Sequence, residues 1–355
     1  MATLGLPKIN ITFSEKAAQS IARSDRGVVG LVLVDTAKDA NPIIVTSVAD
    51  IPTTLTADNQ EYIKLALMGH TSAVKKVICY VVAAAEDIVG ALGNFLTTDV
   101  SFLAVPDVGD KAKDVAAWVK SVRGNEDASC IEAVLPNCKE DYEGVINFTA
   151  DELYNGTKTF STAQYCPRIA GILATTPLTS SATYFTLSDI VSLKAHTRDE
   201  INASVGAGEF TAFFDGEKVK TARAVNSLTT IADGRSDQWK KIKVVTVMDI
   251  IKKDIRTTVE DEYIGKVNNT YANKLLLKNA INAYFETLVQ EGALISGYCD
   301  IDVDAQRTYL KSSGTDVTKM TDAEIKEANT GDKVFLNANI EIADVMEEIT
   351  LPIEI

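Results

Sequence analysis

Histidine is scarce in this chain of 355 amino acids, and so are the motifs of common enzyme classes. Only His70 and His196 are present, and neither lies in a motif with spaced cysteine, histidine or carboxylate ligands. The nucleotide-binding patterns G-x-G-x-x-G and G-x-x-x-x-G-K-[ST] are missing, as is the hydrolase pattern G-x-S-x-G. The sequence therefore predicts no catalytic residue, no cofactor-binding residue and no metal ligand.

Cysteine and long apolar segments are also in short supply. The five cysteines are scattered and contain no C-x-x-C pair, which indicates reduced thiols in a cytosolic protein. No apolar run approaches the roughly 18–20 residues of a membrane helix. Residues 1–13 lack the basic and apolar segments of a signal peptide. We therefore expect a protein that does not insert into a membrane.

Basic residues are outnumbered, with 35 lysines and arginines against 49 acidic residues and a formal net charge of −14. A surface this negative repels phosphate groups, so we expect neither nucleic acid nor an anionic membrane as a partner. The hydrophobic share of 46% is that of a globular protein, and the length fits two or three domains.

Short apolar strands alternate with helices in the first half of the chain. Strands are predicted at 28–35, 43–48, 76–82, 101–105, 131–135 and 145–148, and helices at 59–68, 84–95 and 111–123. Nearly continuous apolar strands separated by helices indicate a parallel sheet covered on both faces. We therefore predict an α/β fold with a doubly wound central domain. Asp215–Gly216 further predicts a hairpin over 209–223.

The second half of the chain predicts longer helices and an α+β character. Periodic apolar residues indicate helices at 239–256 and 273–291, and a strand at 299–303. A further helix is expected after Thr321, because Glu324 completes a capping box with it.

Both ends of the chain show the alternation of half-buried strands. The alternating apolar residues are Ile9, Ile11 and Phe13 near the start, Val334, Leu336 and Ile340 in 334–342, and Ile349, Leu351, Ile353 and Ile355 at the end. Terminal segments fray unless they dock on something. The pattern leaves two possibilities open: pairing within the same subunit, or completion of a sheet in a neighbouring copy.

Several segments resemble the small sheath proteins of contractile tails, which occur in phages, defective prophages and phage-tail-like bacteriocins. The similar segments span nearly the whole chain in the family's order and include INITFSEKAAQSIARSDRGVVGLVLVD, RIAGILATTPLTSSATYFTL, VKTARAVNSLTT, WKKIKVVTVMDIIKKDI and VFLNANIEIADVMEEITLPI.

The resemblance implies a subtilisin-like central domain without protease activity, a C-terminal α+β domain next to an inner tube, and strand arms that link neighbouring subunits. The implied divisions are an N-terminal arm at 1–25, an α/β region at 26–95, the central domain at 96–237, the C-terminal sheath domain at 238–345 and a C-terminal arm at 346–355. The alternating residues at the two ends would form the arm contacts, and Val334, Leu336 and Ile340 the receiving sheet. Lys274 and Lys278 would lie on the helix that faces the tube.

The implied function is structural and not enzymatic. Stacked hexameric rings would surround the inner tube and contract to drive it through the envelope of a target cell. The implied partners are further copies of the chain, the inner tail tube protein, and baseplate and tail-terminator proteins. Assembly would take place in the bacterial cytoplasm, before release in the tail of a phage or phage-tail-like particle. Two alternatives stay open: another self-assembling shell protein, and an α/β hydrolase-like enzyme.

Overall fold

A computed structural model describes residues 20–23, 26–36, 41–124, 129–232 and 234–354. The chain divides into two compact units. The sheet unit consists of the described residues within Arg23–Asp254 and Ile342–Ile355, and the helical unit of those within Met1–Ala22 and Ile255–Glu341. None of the helices in these described ranges is both long and apolar enough to span a membrane.

The strands are short and fall mainly in the sheet unit. They are β1 (Val28–Val34), β2 (Ile43–Val45), β3 (Lys76–Val82), β4 (Phe102–Ala104), β5 (Glu132–Pro136), β6 (Val145–Phe148), β7 (Leu153–Tyr154), β8 (Thr159–Phe160), β9 (Glu209–Phe210), β10 (Ala212–Phe214), β11 (Val219–Thr221), β12 (Leu294–Ile301) and β13 (Leu336–Ile342).

The helices are distributed over both units. They are α1 (Ala57–Leu67), α2 (Ile88–Leu92), α3 (Ala112–Gly124), α4 (Thr162–Thr175), α5 (Arg198–Gly206), α6 (Ile242–Glu262), α7 (Tyr271–Gln290), α8 (Val303–Ser312) and α9 (Asp322–Glu327).

One seven-stranded sheet organises the sheet unit, in the order β2-β3-β1-β4-β5-β6-β9. All neighbours are parallel except β2, which pairs antiparallel with β3. In β1, Leu31 and Leu33 enter the core that includes residues of α1 and α4, whereas Val28 and Val32 enter the core with residues of α2 and α3. The sheet is therefore buried on both faces, as a continuous apolar pattern requires. The predicted mixed α/β fold with a parallel-rich sheet is confirmed.

The predicted hairpin forms, but with fewer residues than expected. β10 pairs antiparallel with β11, and the backbone N–H of Asp215 bonds the carbonyl of Lys218 across the turn. Gly216 takes a φ of +107°, a conformation that glycine adopts without steric cost. The preceding residues 209–210 form β9, which joins the main sheet beside β6 instead of the hairpin.

One other predicted element differs from the structure. The helix expected at 84–95 is broken into two 3₁₀ turns, Ala85–Asp87 and Gly93–Thr97, around the five-residue α2. Gly90 and Gly93 lie in this stretch, and glycine weakens a helix interior because it loses more backbone entropy on folding. The C-terminal alternation is not paired in the described chain, because residues 343–354 carry neither helix nor strand, and its pairing with another copy stays a prediction.

The helical unit combines α7 with a two-stranded sheet. Thr270 caps the start of α7 by accepting the N–H of Asn273, and the helix packs against β12. The approach is close at Gly297, where an added Cβ would lie 2.9 Å from Phe285. Thr321 caps the start of α9 and forms the predicted capping box with Glu324.

The compact units cross the predicted domain divisions. β1 lies between β3 and β4 in one sheet, so the division expected at residues 95 and 96 falls within a single hydrogen-bonded layer. The other expected division, at 237 and 238, lies before α6, whereas the compact units separate at Asp254, inside that helix.

Arg123 of α3, Glu132 of β5 and Asp249 of α6 form a buried charged cluster. Arg123 donates to both oxygens of Asp249, at 2.6 and 3.0 Å. Thr246 donates to Glu132 Oε1 at 3.0 Å, while Oε2 of Glu132 is buried without a partner among the described residues. Burial raises the pKa of Glu132, the charge of Asp249 raises it further, and Arg123 opposes both effects. The folded protein therefore favours a proton on Glu132.

Close packing of α1 on α4 gives the first prediction. An added Cβ at Gly171 of α4 would overlap the carbonyl oxygen of Ala66 in α1, whereas one at Gly90 meets nothing within 4 Å. We expect Gly171→Ala to lower the free energy of unfolding by about 1–3 kcal/mol, as overpacked cores do. Gly90→Ala should leave it unchanged or raise it by up to about 1 kcal/mol. Urea unfolding measures both, and equal stabilities of the two variants would contradict this packing account.

Glu132 gives the free energy of unfolding a defined pH dependence. Its folded pKa is raised, so its contribution is fully present below the unfolded value of about 4.3 and is lost as pH rises through the folded value. Glu132→Gln removes this titration. We therefore expect the free energy of unfolding of the variant to rise relative to that of the wild type as the pH increases from about 5 to about 8. The exposed Glu86→Gln should follow the wild type. Parallel pH profiles for Glu132→Gln and the wild type would refute the assignment.

Candidate functional site

The C-terminal tail, defined as residues 343–354, has two parts with opposite chemistry. Its tip, residues 349–354, carries Ile349, Leu351 and Ile353 with exposed fractions of 81%, 76% and 76%. These three apolar side chains alternate with Thr350, Pro352 and Glu354. Exposed apolar groups in a regular row usually mark a surface that another element covers.

The tail root, defined as residues 343–348, is held by charged groups of the sheet unit. Lys241 pairs with Asp344, and Lys243 Nζ donates to the carbonyl of Ala343 at 2.6 Å. The hydrogen bond from Lys241 and the nearby charge of Lys243 help to lower the pKa of Asp344, outweighing the opposing effect of burial. Burial lowers the pKa of Lys243, although the Asp344 charge opposes this shift.

Glu347 is the most enclosed acidic group of the tail root. Its side chain is only 9% exposed, and it accepts a hydrogen bond from Thr183 at 2.6 Å. Arg223 Nε lies 3.2 Å from a Glu347 oxygen, and Arg223 Nη2 lies 2.7 Å from Glu348. The hydrogen bond to Glu348 raises the pKa of Arg223, and the same contact lowers the pKa of Glu348. The last ordered ionic contacts thus lie directly before the apolar tip.

The two-stranded sheet of β12 and β13 is open in the described structure. Each strand pairs only with the other among the described residues, so each leaves one row of backbone groups unpaired. Of the predicted receiving residues, Val334 and Ile340 are exposed by 42% and 36%, and Leu336 is half-buried. An open edge with apolar side chains is a template for pairing with another strand.

The remaining predicted arm residues lie outside the described part of the chain. These are Ile9, Ile11, Phe13 and Ile355.

Lys274, which the resemblance implied as a residue of the tube-facing helix, is buried in the structure. It is 3% exposed, and its ammonium lies 3.0 Å from Thr330 and 3.3 Å from both Gln306 and the carbonyl of Ala328. Burial lowers its pKa. Lys278 lies 3.6 Å from Asp300 with a 19% exposed side chain. The two lysines thus support α7 within the helical unit, and a tube-facing role for the helix stays a prediction.

The histidines are separated from each other. The His70 ring packs 4.2 Å from Phe185, and burial lowers its pKa. His196 lines a polar cavity of about 560 Å³ whose other residues include Lys139 and Glu209. Open α/β sheets often bind ligands at the carboxyl ends of their strands, where this cavity lies. Lys139 and Glu209 already pair with each other, however. The described residues contain no group of three or more histidine, cysteine or acidic side chains placed to hold a metal.

Comparison with known proteins identifies the class to which the chain belongs. The model of the phage tail sheath protein central domain matches residues 82–227, and that of the phage tail sheath C-terminal domain matches residues 235–355. The tail sheath protein of Clostridium phage phiCD119 is 34% identical over 357 residues, covering 99% of each chain. The chain therefore belongs to the phage tail sheath family.

Solved structures agree with this at the level of the fold. The sheath tail protein of Desulfitobacterium hafniense superposes with a TM-score of 0.70 at 18% identity, covering 83% of this chain and 94% of that one. A contracted sheath complex named PVC, from an extracellular contractile injection system, gives a TM-score of 0.67 at 13% identity, covering 100% and 98%. The resemblance to tail sheath proteins is confirmed.

Proposed function

We propose that this chain is the structural subunit of a contractile tail sheath, joined to neighbouring copies by strand addition. The apolar tail tip carries the proposal, because a row of exposed Ile349, Leu351 and Ile353 has no role in a monomer. Family membership and the likeness to a contracted sheath complex support it. In this function the chain forms stacked hexameric rings around an inner tube, and their contraction drives the tube through a target envelope.

The tip has the chemistry of an added strand. Its apolar residues occur at every second position, which puts them on one face of an extended segment. Pro352 has no N–H to donate, so it is tolerated only where one side of the strand needs no pairing. Burying three such side chains supplies roughly 5–9 kcal/mol before the costs of association. A strand at the edge of a neighbour's sheet meets these conditions.

The β12–β13 sheet is the proposed receiver. Val334, Leu336 and Ile340 provide apolar side chains on or beside β13, and the unpaired edge provides backbone groups. Backbone bonds would supply affinity, and matching of the alternate side chains would fix the register. The undescribed N-terminal residues Ile9, Ile11 and Phe13 would form a second arm of the same kind.

The body of the subunit has a different part in this proposal. The sheet unit contains the proposed subtilisin-like but non-catalytic central domain at 96–237, and α7 faces the inner tube with Lys278 near the contact. Neighbouring copies stay joined through their arms while the polar contacts between the rest of the subunits are replaced by other contacts. Two packings that differ by a few kcal/mol per subunit would make the polymer a bistable device. The remaining partners are tube, baseplate and tail-terminator proteins. The chain assembles with them in the bacterial cytoplasm and remains bound to them in the released particle.

Replacing the apolar residues of the tip should separate folding from assembly. We expect the triple variant Ile349→Ser, Leu351→Ser, Ile353→Ser to keep its free energy of unfolding within about 0.5 kcal/mol, because the side chains are exposed. The variant should nevertheless form no tubules. Circular dichroism with denaturant measures folding, and negative-stain electron microscopy with sedimentation measures assembly.

The matched control is Met346→Ser, which removes a 92% exposed apolar side chain from the same tail but outside the tip. It should assemble as the wild type does. Tubules of normal length and number from the triple variant would show that the tip does not join the copies.

A further inference from the structure

The tail root and the tail tip differ in their contacts with the sheet unit, and a simple linker would not need this difference. All three acidic residues of the root, Asp344, Glu347 and Glu348, contact cations of the sheet unit. The tip that follows has only exposed side chains among its described residues. Contact with the body therefore stops where the apolar pattern begins.

The cations form a continuous binding surface for the root. Arg223 contacts Glu347 and Glu348, Lys241 contacts Asp344 and lies 3.9 Å from Glu347, and Lys243 holds the backbone of Ala343. These groups come from the segment after β11 and from the start of α6. A basic surface of this kind recognises an acidic peptide segment, and here the occupant is the chain's own root.

Glu347 dominates the attachment because it is the only acidic group of the root that is nearly enclosed. Its side chain is 9% exposed, against 33% for Asp344 and 82% for Glu348. Ion pairs at exposed positions are screened by salt and contribute little, whereas enclosed charge-assisted hydrogen bonds are stronger. Loss of the Glu347 contacts should therefore free the root, while loss of Glu348 alone should not.

Docking of the root sets how far the tip can reach. With the root docked, the free segment begins at residue 349. With the root undocked, it begins after β13 ends at Ile342, which adds the six residues 343–348. Six extended residues span about 20 Å. A tether that gains part of this length would allow the neighbouring copy to move without losing the tip.

We propose that Arg223, Lys241 and Lys243 form a releasable docking site for the acidic tail root, with Glu347 as its central contact. Docked, the root gives the arm a fixed origin and a short reach; released, it lengthens the reach while the tip stays bound. Docking of the root takes place within a single chain. Its effect on the reach of the arm rests on the proposed strand addition. Ionic attachment suits the task, because such contacts break without exposing apolar surface.

Spin labelling of unassembled protein tests the docking directly. Met346→Cys places a nitroxide on an exposed site of the root, after replacement of the half-buried Cys130 by serine; the other cysteines are buried. We expect a mainly ordered spectrum at low salt. Glu347→Ala should shift the ratio of mobile to ordered label about tenfold or more, as expected for a lost charge-assisted hydrogen bond. Glu354→Ala, which removes a tip carboxylate, should leave the ratio unchanged.

Salt provides a second arm of the same test, since screening acts on the exposed contacts of Asp344 and Glu348 and much less on the enclosed Glu347. Raising NaCl from about 0.05 M to about 1 M should therefore mobilise the wild-type label much less than Glu347→Ala does at low salt. Equal spectra for Glu347→Ala and Glu354→Ala, or a wild-type label that is mobile at low salt, would overturn the docking site. Neither result depends on assembly, so failure of the site is distinguishable from failure of the proposed strand addition.

The consequence for the arm is measured separately in assembled protein. Glu347→Ala keeps the whole tip, so it should still form tubules, and co-expression with the tube protein should yield fewer extended particles relative to contracted ones. If the root is mobile in the unassembled variant but the ratio of extended to contracted particles is unchanged, docking of the root does not set the reach of the tail tip.

Discussion

Burial of the seven-stranded sheet on both faces is the constraint on which the rest of the structure depends. Strand β1 sends alternate side chains into two separate cores, so helices must cover both faces before the sheet is stable. Gly171 shows how tight this cover is, since its lack of a side chain lets α4 approach the backbone of α1. The two cores that cover this sheet are made of buried side chains.

The proposed assembly uses segments outside that core. The apolar tip follows a root that is attached by charge, and the β12–β13 sheet is open in the helical unit. These features separate two physical tasks. Apolar burial with backbone pairing suits a joint that must last, whereas partly exposed ion pairs suit a contact that must be broken and remade.

Much of the fold was predictable from local sequence patterns. The strands between residues 28 and 148 were placed correctly because each is a short apolar run, and β1, β3, β4, β5 and β6 are almost entirely buried. The capping box at Thr321 placed α9, and the similar box of Thr197 and Glu200 would have revealed α5, which was missed. The helix expected at 84–95 is broken because Gly90 and Gly93 add a backbone-entropy cost that the apolar period of the segment does not reveal.

The site was less predictable, since long-range packing decides it. Helical period put Lys274 and Lys278 on one face, but it could not show that Gln306 and Thr330 would enclose the first lysine. The tip has the alternation of a strand, yet a strand also needs a partner, which the described single chain does not offer. The ionic root escaped notice for a similar reason, because its cations lie about 100 residues or more away in sequence.

The most direct measurement is a cryo-electron microscopy reconstruction of the assembled wild-type protein, with residues 349–354 traced from their own subunit. The account predicts that this tip forms an added strand on the β12–β13 sheet of a neighbouring copy, with Ile349, Leu351 and Ile353 buried. A tip folded against the body of its own subunit, with the edge of β13 open to solvent in the polymer, would contradict it.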